Sequence, residues 1–202
     1  MKIIQRSIAA LLLFISGWKL EGEFPSLQKC VIIGAPHTSN WDFFFGMIYK
    51  FSYGLKIHFL MKKELFWFPF ETLLRWMGGI PVDRKKHNNL VEKLGEWMRN
   101  SDSYYLAISP EGTRKAVKVW KRGFYHIARK AGVPIILGYL DYQRKVVGVG
   151  PVFYPGNNIE RDMMEISAFY AAITAKFPDQ FCLPEVVMPS VESASKRISA
   201  GW

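Results

Sequence analysis

Apolar and polar positions along this chain switch repeatedly between a strand-like run and a helical period. Val31–Ala35 is a short β-branched run closed by Pro36, the pattern of a strand buried on both faces. Ile57–Met61, Ile80–Val82, Tyr104–Ile108, Val133–Leu140 and Val146–Val152 read as further strands. Between them lie helical stretches. Ser39–Lys50 follows the first strand, and Pro69–Met77 stops at Gly78-Gly79. Asn88–Arg99 carries Leu90, Val91, Leu94, Trp97 and Met98 at a helical spacing. Gly123–Ala131 stops at Gly132, and Arg161–Lys176 reads as a final long helix. This alternation predicts one α/β domain with a central mixed sheet flanked by helices.

The N-terminal pattern is different. Lys2 and Arg6 precede the apolar run Ile8–Ile15, and Ser16-Gly17-Trp18-Lys19 follows it. The run is far short of the roughly 20 residues that span a bilayer. No small-x-small cleavage pattern follows, which argues against a signal peptide. Beside that least favoured reading stand two others: a helix lying in a membrane interface, with basic and Trp residues at the headgroups, or a first helix packed on the core. The interfacial reading is preferred, so residues 1–24 are expected to form a membrane-associating helix ahead of a domain spanning 25–202. Phe66-Trp-Phe-Pro-Phe70, between Lys62-Lys63 and Arg75, suits an interface or an acyl-chain groove, although plain core is the simplest reading. The Ser-, Ala- and Lys/Arg-rich tail after Pro189 is expected to be loosely held.

Composition narrows the function classes. The 202 residues include 27 Lys+Arg against 17 Asp+Glu, a net charge of +10, so an anionic partner is favoured. Nucleic acid, an anionic membrane and a phosphorylated substrate all satisfy that, but no nucleic-acid-reading motif is present. Cys30 and Cys182 form neither a metal-ligand pattern nor a disulfide framework, which favours a reducing compartment.

Three segments at strand-to-loop junctions carry candidate chemistry. The first is His37-Thr-Ser-Asn-Trp-Asp42. Five residues along one helix rotate by about 140°, so the two side chains meet only if His37 lies on the loop and Asp42 in the first helical turn. Pro36 and a capping-box spacing from Ser39 to Asp42 support that placement. Asp42 would then orient one imidazole nitrogen and leave the other as a base. The pair alone is a weak signal, since a His held in a helix cap has the same spacing. The second segment is Ser109-Pro-Glu-Gly-Thr-Arg114, where Gly112 permits close backbone approach and Arg114 offers a fork for phosphate. Glu111 is suited to fix that fork or a substrate hydroxyl. The third is Gly79-Ile-Pro-Val-Asp-Arg84, followed by Lys85 and Lys86, with Arg84 as a second phosphate candidate.

In order and spacing, His37–Asp42, Gly79–Arg84, Glu111–Arg114 and Val133-Pro134-Ile135-Ile136 resemble the four motif blocks of the glycerolipid acyltransferases, typified by the 1-acylglycerol-3-phosphate acyltransferases. The resemblance covers roughly residues 31–142. It implies an α/β acyltransferase domain at the cytoplasmic face of a membrane. His37 would deprotonate an acceptor hydroxyl and Asp42 would orient it. Arg84, Glu111, Gly112, Thr113 and Arg114 would bind the glycerophosphate of a lysophospholipid. Acyl-CoA or an acylated carrier protein would be the donor, and no metal or redox cofactor is implied. The sequence departs from the family at Ser109, where an aromatic or apolar residue is more usual, at Pro81-Val82, and after Arg114, where Lys115–Trp120 lacks the Ser/Gly-rich pattern. These departures bear on the acceptor's identity. Acylation of another lysolipid, thioester hydrolysis, and non-catalytic lipid binding are the competing readings.

Overall fold

In strand β2 (Lys29–Gly34), Cys30 and Ile32 point to one face of the sheet and Val31 and Ile33 to the other. All four are buried, which is why the run shows no polar alternation. The computed structural model that displays this describes residues 2–83 and 89–184. Arg84, Lys85, Lys86 and the tail after Pro189 lie outside the described residues.

Seven strands form one sheet around β2. They are β1 (Lys19–Glu21), β2, β3 (Ile57–Lys62), β4 (Gly79–Val82), β5 (Tyr104–Ile108), β6 (Ile135–Asp141) and β7 (Val146–Phe153). Their order across the sheet is β1-β7-β6-β2-β5-β3-β4. Among the described residues only β6 and β7 pair antiparallel, so the sheet is mixed as expected. Helices α1 (Lys2–Ser16) and α2 (Asn40–Tyr53) cover one face through Ala9, Phe45, Ile48 and Tyr49. Helices α4 (Leu90–Asn100), α5 (Gly123–Ala131) and α6 (Ile159–Tyr170) cover the other through Leu94, Met98, Phe124, Ile127, Ile166 and Tyr170. Helix α3 (Phe70–Trp76) connects β3 to β4. Burying each of these large side chains contributes roughly 1.5–3 kcal/mol, so the two layers on either side of β2 are the main stabilising feature.

Four expectations change. The segment 1–24 is not helical throughout. Lys19–Glu21 joins the sheet as β1, parallel to β7, and three residues are too few to show a period. The last helix ends at Tyr170 rather than at Lys176. Beyond it, the Ile173 N–H turns back to the Tyr170 carbonyl, and the Thr174 carbonyl accepts from the Tyr142 N–H, a tertiary contact invisible in the local pattern. The Phe66–Phe70 aromatics are not core: Trp67, Phe68 and Phe70 are exposed. Helix α1, finally, packs on the core along one side only. Ala9, Leu12 and Leu13 pack inward against the α2 layer. Ile4, Ile8, Leu11 and Ile15, one stripe at helical spacing, stay exposed with Ile3 and Phe14 beside them.

The junction of α2, β3 and α3 rests on one buried cation. The Lys50 ammonium donates to the Ile57 carbonyl at 2.9 Å and to the Met77 carbonyl. Burial pushes its pKa down to about 8. Gly78 lies against this knot with φ +99, and a Cβ there would stand 2.4 Å from the Ile57 carbonyl oxygen and 3.0 Å from the Lys50 amine. The chain stops its helix there because only glycine fits. Gly78→Ala should therefore lower the unfolding free energy by about 2 kcal/mol or more. Gly46→Ala, inside α2 with open space around its Cβ, should be neutral or raise stability by up to about 1 kcal/mol. Urea unfolding of the two variants checks the contrast.

Candidate active site

Strands β6, β2 and β5 are adjacent and parallel, so their C-terminal ends open at one edge of the sheet. In register, Ile33 of β2 sits opposite Ile108 of β5 and Leu137 of β6. Four residues beyond Ile33 and three beyond Ile108 therefore bring His37 and Glu111 to the same place. Crevices at such strand ends are where α/β sheets put their ligands.

The loop after β2 is held from two sides. Ser39 is the N-cap of α2, and its hydroxyl accepts from the Trp41 N–H at 3.2 Å. Asp42, in the first turn, completes a capping box. Its Oδ2 accepts from the backbone N–H groups of Thr38 and Ser39, both at 2.7 Å. The same oxygen lies 3.3 Å from His37 Nδ1. Its other oxygen, Oδ1, accepts from the Tyr142 phenol at 2.6 Å. Asp42 is 5% exposed, so this carboxylate is almost wholly enclosed by donors. From the other side, the His37 backbone N–H donates to both carboxylate oxygens of Glu111, each at 3.1 Å. The imidazole thus projects from a loop fixed by two carboxylates, its Nδ1 toward Asp42 and its Nε2 left for another partner. The His37 side chain keeps 29% of its surface open.

Glu111 does something the sequence reading did not assign to it. Its carboxylate takes the His37 N–H rather than the Arg114 fork. It is 4% exposed, and burial raises its pKa to about 7 against the opposing pull of the His37 N–H and imidazole. Gly112 follows with φ +67, the left-handed conformation that turns the chain. The Lys121 side chain lies across it. The Thr113 hydroxyl accepts from the Lys115 N–H at 3.3 Å. Arg114 is exposed and donates to the Asn40 side-chain oxygen at the start of α2. The structure thus gathers His37, Asp42, Glu111, Gly112, Thr113 and Arg114 around one edge, while Arg84 lies outside the described residues. Asn40, Lys50 and Tyr142 were not found from the sequence. Tyr142 in particular stands 100 positions from the carboxylate it touches and belongs to no motif.

A cavity of about 570 Å³ opens at this edge and runs between α2 and the sheet. His37, Asn40, Asp42, Ser109 and Arg114 supply polar lining. Much of the remainder is apolar, including Ile32, Phe43, Met47, Phe59 and Leu140. The size is that of a pocket for a medium-sized organic ligand. An apolar cavity beside an imidazole and an exposed guanidinium is suited to a molecule with a long hydrocarbon part and an anionic head.

Comparison with known proteins agrees with this geometry. A model of the family described as Acyltransferase matches residues 19–137. A 1-acyl-sn-glycerol-3-phosphate acyltransferase of Haemophilus influenzae is 33% identical over 132 residues, covering 59% of this chain and 52% of that protein. The Escherichia coli K12 protein of the same name is 36% identical over 83 residues, 37% of this chain and 33% of that protein. The chain thus spans about half the length, or less, of these curated relatives. The crystal structure of the 1-acyl-sn-glycerophosphate (LPA) acyltransferase PlsC from Thermotoga maritima superposes with a TM-score of 0.61 at 14% identity. That match covers all of this chain and 80% of the Thermotoga chain, and it shows a shared fold.

The raised pKa of Glu111 predicts how stability varies with pH. A carboxyl whose folded pKa lies above its unfolded value stabilises the fold below the unfolded value, and that contribution is lost as pH rises through the folded one. The window runs from about 4.5 to about 7. Glu111→Gln keeps an oxygen for the His37 N–H and removes the charge. It should be more stable than wild type at pH 8, by up to about 3 kcal/mol, and should lose that advantage by pH 4. Urea unfolding across this range checks it, and a difference that does not vary with pH would contradict the assignment.

Proposed function

This chain belongs to the acyltransferase family, and on that footing we propose that it moves a fatty acyl group from a thioester to the free hydroxyl of a lysophospholipid, with 1-acylglycerol-3-phosphate as the acceptor. The donor is acyl-CoA or an acylated carrier protein. One observation carries the reading: a histidine braced by a buried carboxylate lines a mainly apolar cavity that Arg114 also borders.

A thioester is already activated, so the step needs a base and positioning rather than an enzyme nucleophile. With Nδ1 directed to Asp42, His37 Nε2 takes the proton from the acceptor hydroxyl as its oxygen attacks the thioester carbonyl. The C–S bond then breaks, the new ester forms, and the leaving thiolate recovers the proton from the imidazolium. A base in this role contributes ~10²–10⁴ in rate. The Arg114 guanidinium supplies a planar fork for the acceptor phosphate, and the Gly112 turn lets backbone approach it. Arg84 is proposed as a second phosphate contact from its place in the motif. The apolar part of the cavity holds an acyl chain.

The same proposal places the chain on a membrane surface. No helix among the described residues is long and apolar enough to cross a bilayer. Two exposed apolar faces flank α2 instead. One is the outer stripe of α1, where Phe14 is 85% exposed. The other is Trp67, Phe68, Phe70, Leu73 and Trp76 around α3, where Phe68 is 90% exposed and Trp76 approaches Phe51 of α2 with ring centroids 6.2 Å apart. Lys62, Lys63 and Arg75 adjoin the aromatic face in sequence and suit anionic headgroups.

Thiol release from a long-chain acyl-CoA, with and without lysophosphatidate, tests the chemistry. Wild type should release thiol only when acceptor is present, and His37→Ala should lose ~10²–10⁴ of that rate. Release without acceptor would identify a thioesterase, and no release with any lysolipid or acyl-carrier donor would leave lipid binding as the function. Co-sedimentation with vesicles containing anionic lipid tests the surface. The pair Ile8→Asp and Phe14→Asp, at exposed positions, should weaken binding at least about tenfold while leaving the fold intact.

A further inference from the structure

We infer that Tyr142 is a positioning residue for the His37–Asp42 pair, acting through the carboxylate oxygen that the helix cap leaves unclaimed. The inference deepens the acyl-transfer reading and rests on it. Asp42 Oδ2 is fully engaged by two backbone N–H groups and faces His37. Oδ1 has one donor among the described residues, the Tyr142 phenol at 2.6 Å. Without it, a carboxylate oxygen in an almost closed site would have no hydrogen bond, which is costly where water cannot replace the donor. The carboxylate would then be held through Oδ2 alone and could tilt about that oxygen along its soft terminal torsion, which loosens its bearing on His37 Nδ1. A phenol on Oδ1 stops that tilt.

Tyr142 is itself immobilised, as such a role requires. Its backbone N–H donates to the Thr174 carbonyl at 2.9 Å. Its ring meets Trp18 edge-on, with centroids 4.9 Å apart and an 84° interplanar angle. Trp18 in turn stacks on Phe45 of α2 at 3.8 Å. The Lys176 ammonium sits 5.6 Å from the Tyr142 ring centroid. Burial and the adjacent Asp42 push the phenol's pKa well above that of an ordinary tyrosine, so it stays protonated and remains a donor. The segment after α1 and the body of α2 thereby hold the ring whose hydroxyl meets Asp42 Oδ1.

Tyr142→Phe removes the hydroxyl and keeps every ring contact. Steady-state acyl transfer by wild type, Tyr142→Phe, Asp42→Asn and the double variant forms a cycle. Tyr142→Phe should lower kcat about tenfold with KM for both substrates within about twofold, and should cost less than about twofold in the Asp42→Asn background. An equal loss in both backgrounds, or a loss carried by KM, would overturn the inference, because a tyrosine that only fills space does not act through Asp42. A second readout does not need turnover. In ¹⁵N-histidine-labelled protein, neutral His37 should be a single Nδ1-protonated tautomer in wild type and a mixture in Tyr142→Phe. An unchanged tautomer would overturn the role, whereas wild type that acylates no lysolipid would overturn the acyl-transfer reading and leave the tautomer comparison to decide on Tyr142.

Discussion

A single buried carboxylate organises the working end of this protein. Asp42 caps helix α2, closes the loop after β2 with two backbone hydrogen bonds, and gives His37 a fixed neighbour. A helix N-terminus already favours negative charge through its unpaired N–H groups and its dipole. Placing the acid there lets the fold stabilise the charge beside His37, so that under the proposed function the same contacts serve stability and chemistry. The arrangement also explains the five-residue interval between the two side chains. His37 must precede the cap, Asp42 must lie in the first turn, and Ser39 must stand between them as the N-cap.

What surrounds Asp42 follows from the parallel sheet. Adjacent strands β6, β2 and β5 run the same way, so loops separated by more than seventy residues open at one edge. Glu111 arrives there already buried and braces the backbone of His37, while Arg114 remains outside and touches the first residue of α2. The two ends of one short turn thus work on opposite sides of the site. Glu111 faces the protein and Arg114 faces the ligand space, with Gly112 supplying the change of direction between them.

Helix α2 is the other structural axis. Its N-terminus carries the acid, its inner face lines the cavity, and its C-terminal half is anchored by Lys50 to the β3–α3 junction. The helices beside it, α1 and α3, turn apolar residues outward. The cavity therefore opens beside the exposed apolar surfaces that the proposed function assigns to a bilayer. Trp18, two residues beyond α1, also touches Tyr142, so the segment that follows this helix and the Asp42 carboxylate are two contacts apart.

Much of this was legible in the chain by itself. Strand and helix periods recovered the α/β alternation because they record burial on one or both faces of a local element. The stops at Gly78 and Gly132 recorded backbone geometry, and the His37–Asp42 interval with Ser39 between recorded a cap whose contacts span only a few residues. Those are short-range facts, and a sequence displays them directly. The tertiary structure decided what depends on distant residues. It set the inward turn of Glu111, the donor on Asp42 Oδ1, and the end of α6 at Tyr170, where Tyr142 takes the Thr174 carbonyl. It also separated the two faces of α1, since an unbroken apolar run such as Ile8–Ile15 gives no sign of which side a neighbour will cover. Burial and hydrogen bonding between segments seventy to a hundred residues apart leave no periodic trace, and only the folded sheet brings those residues together.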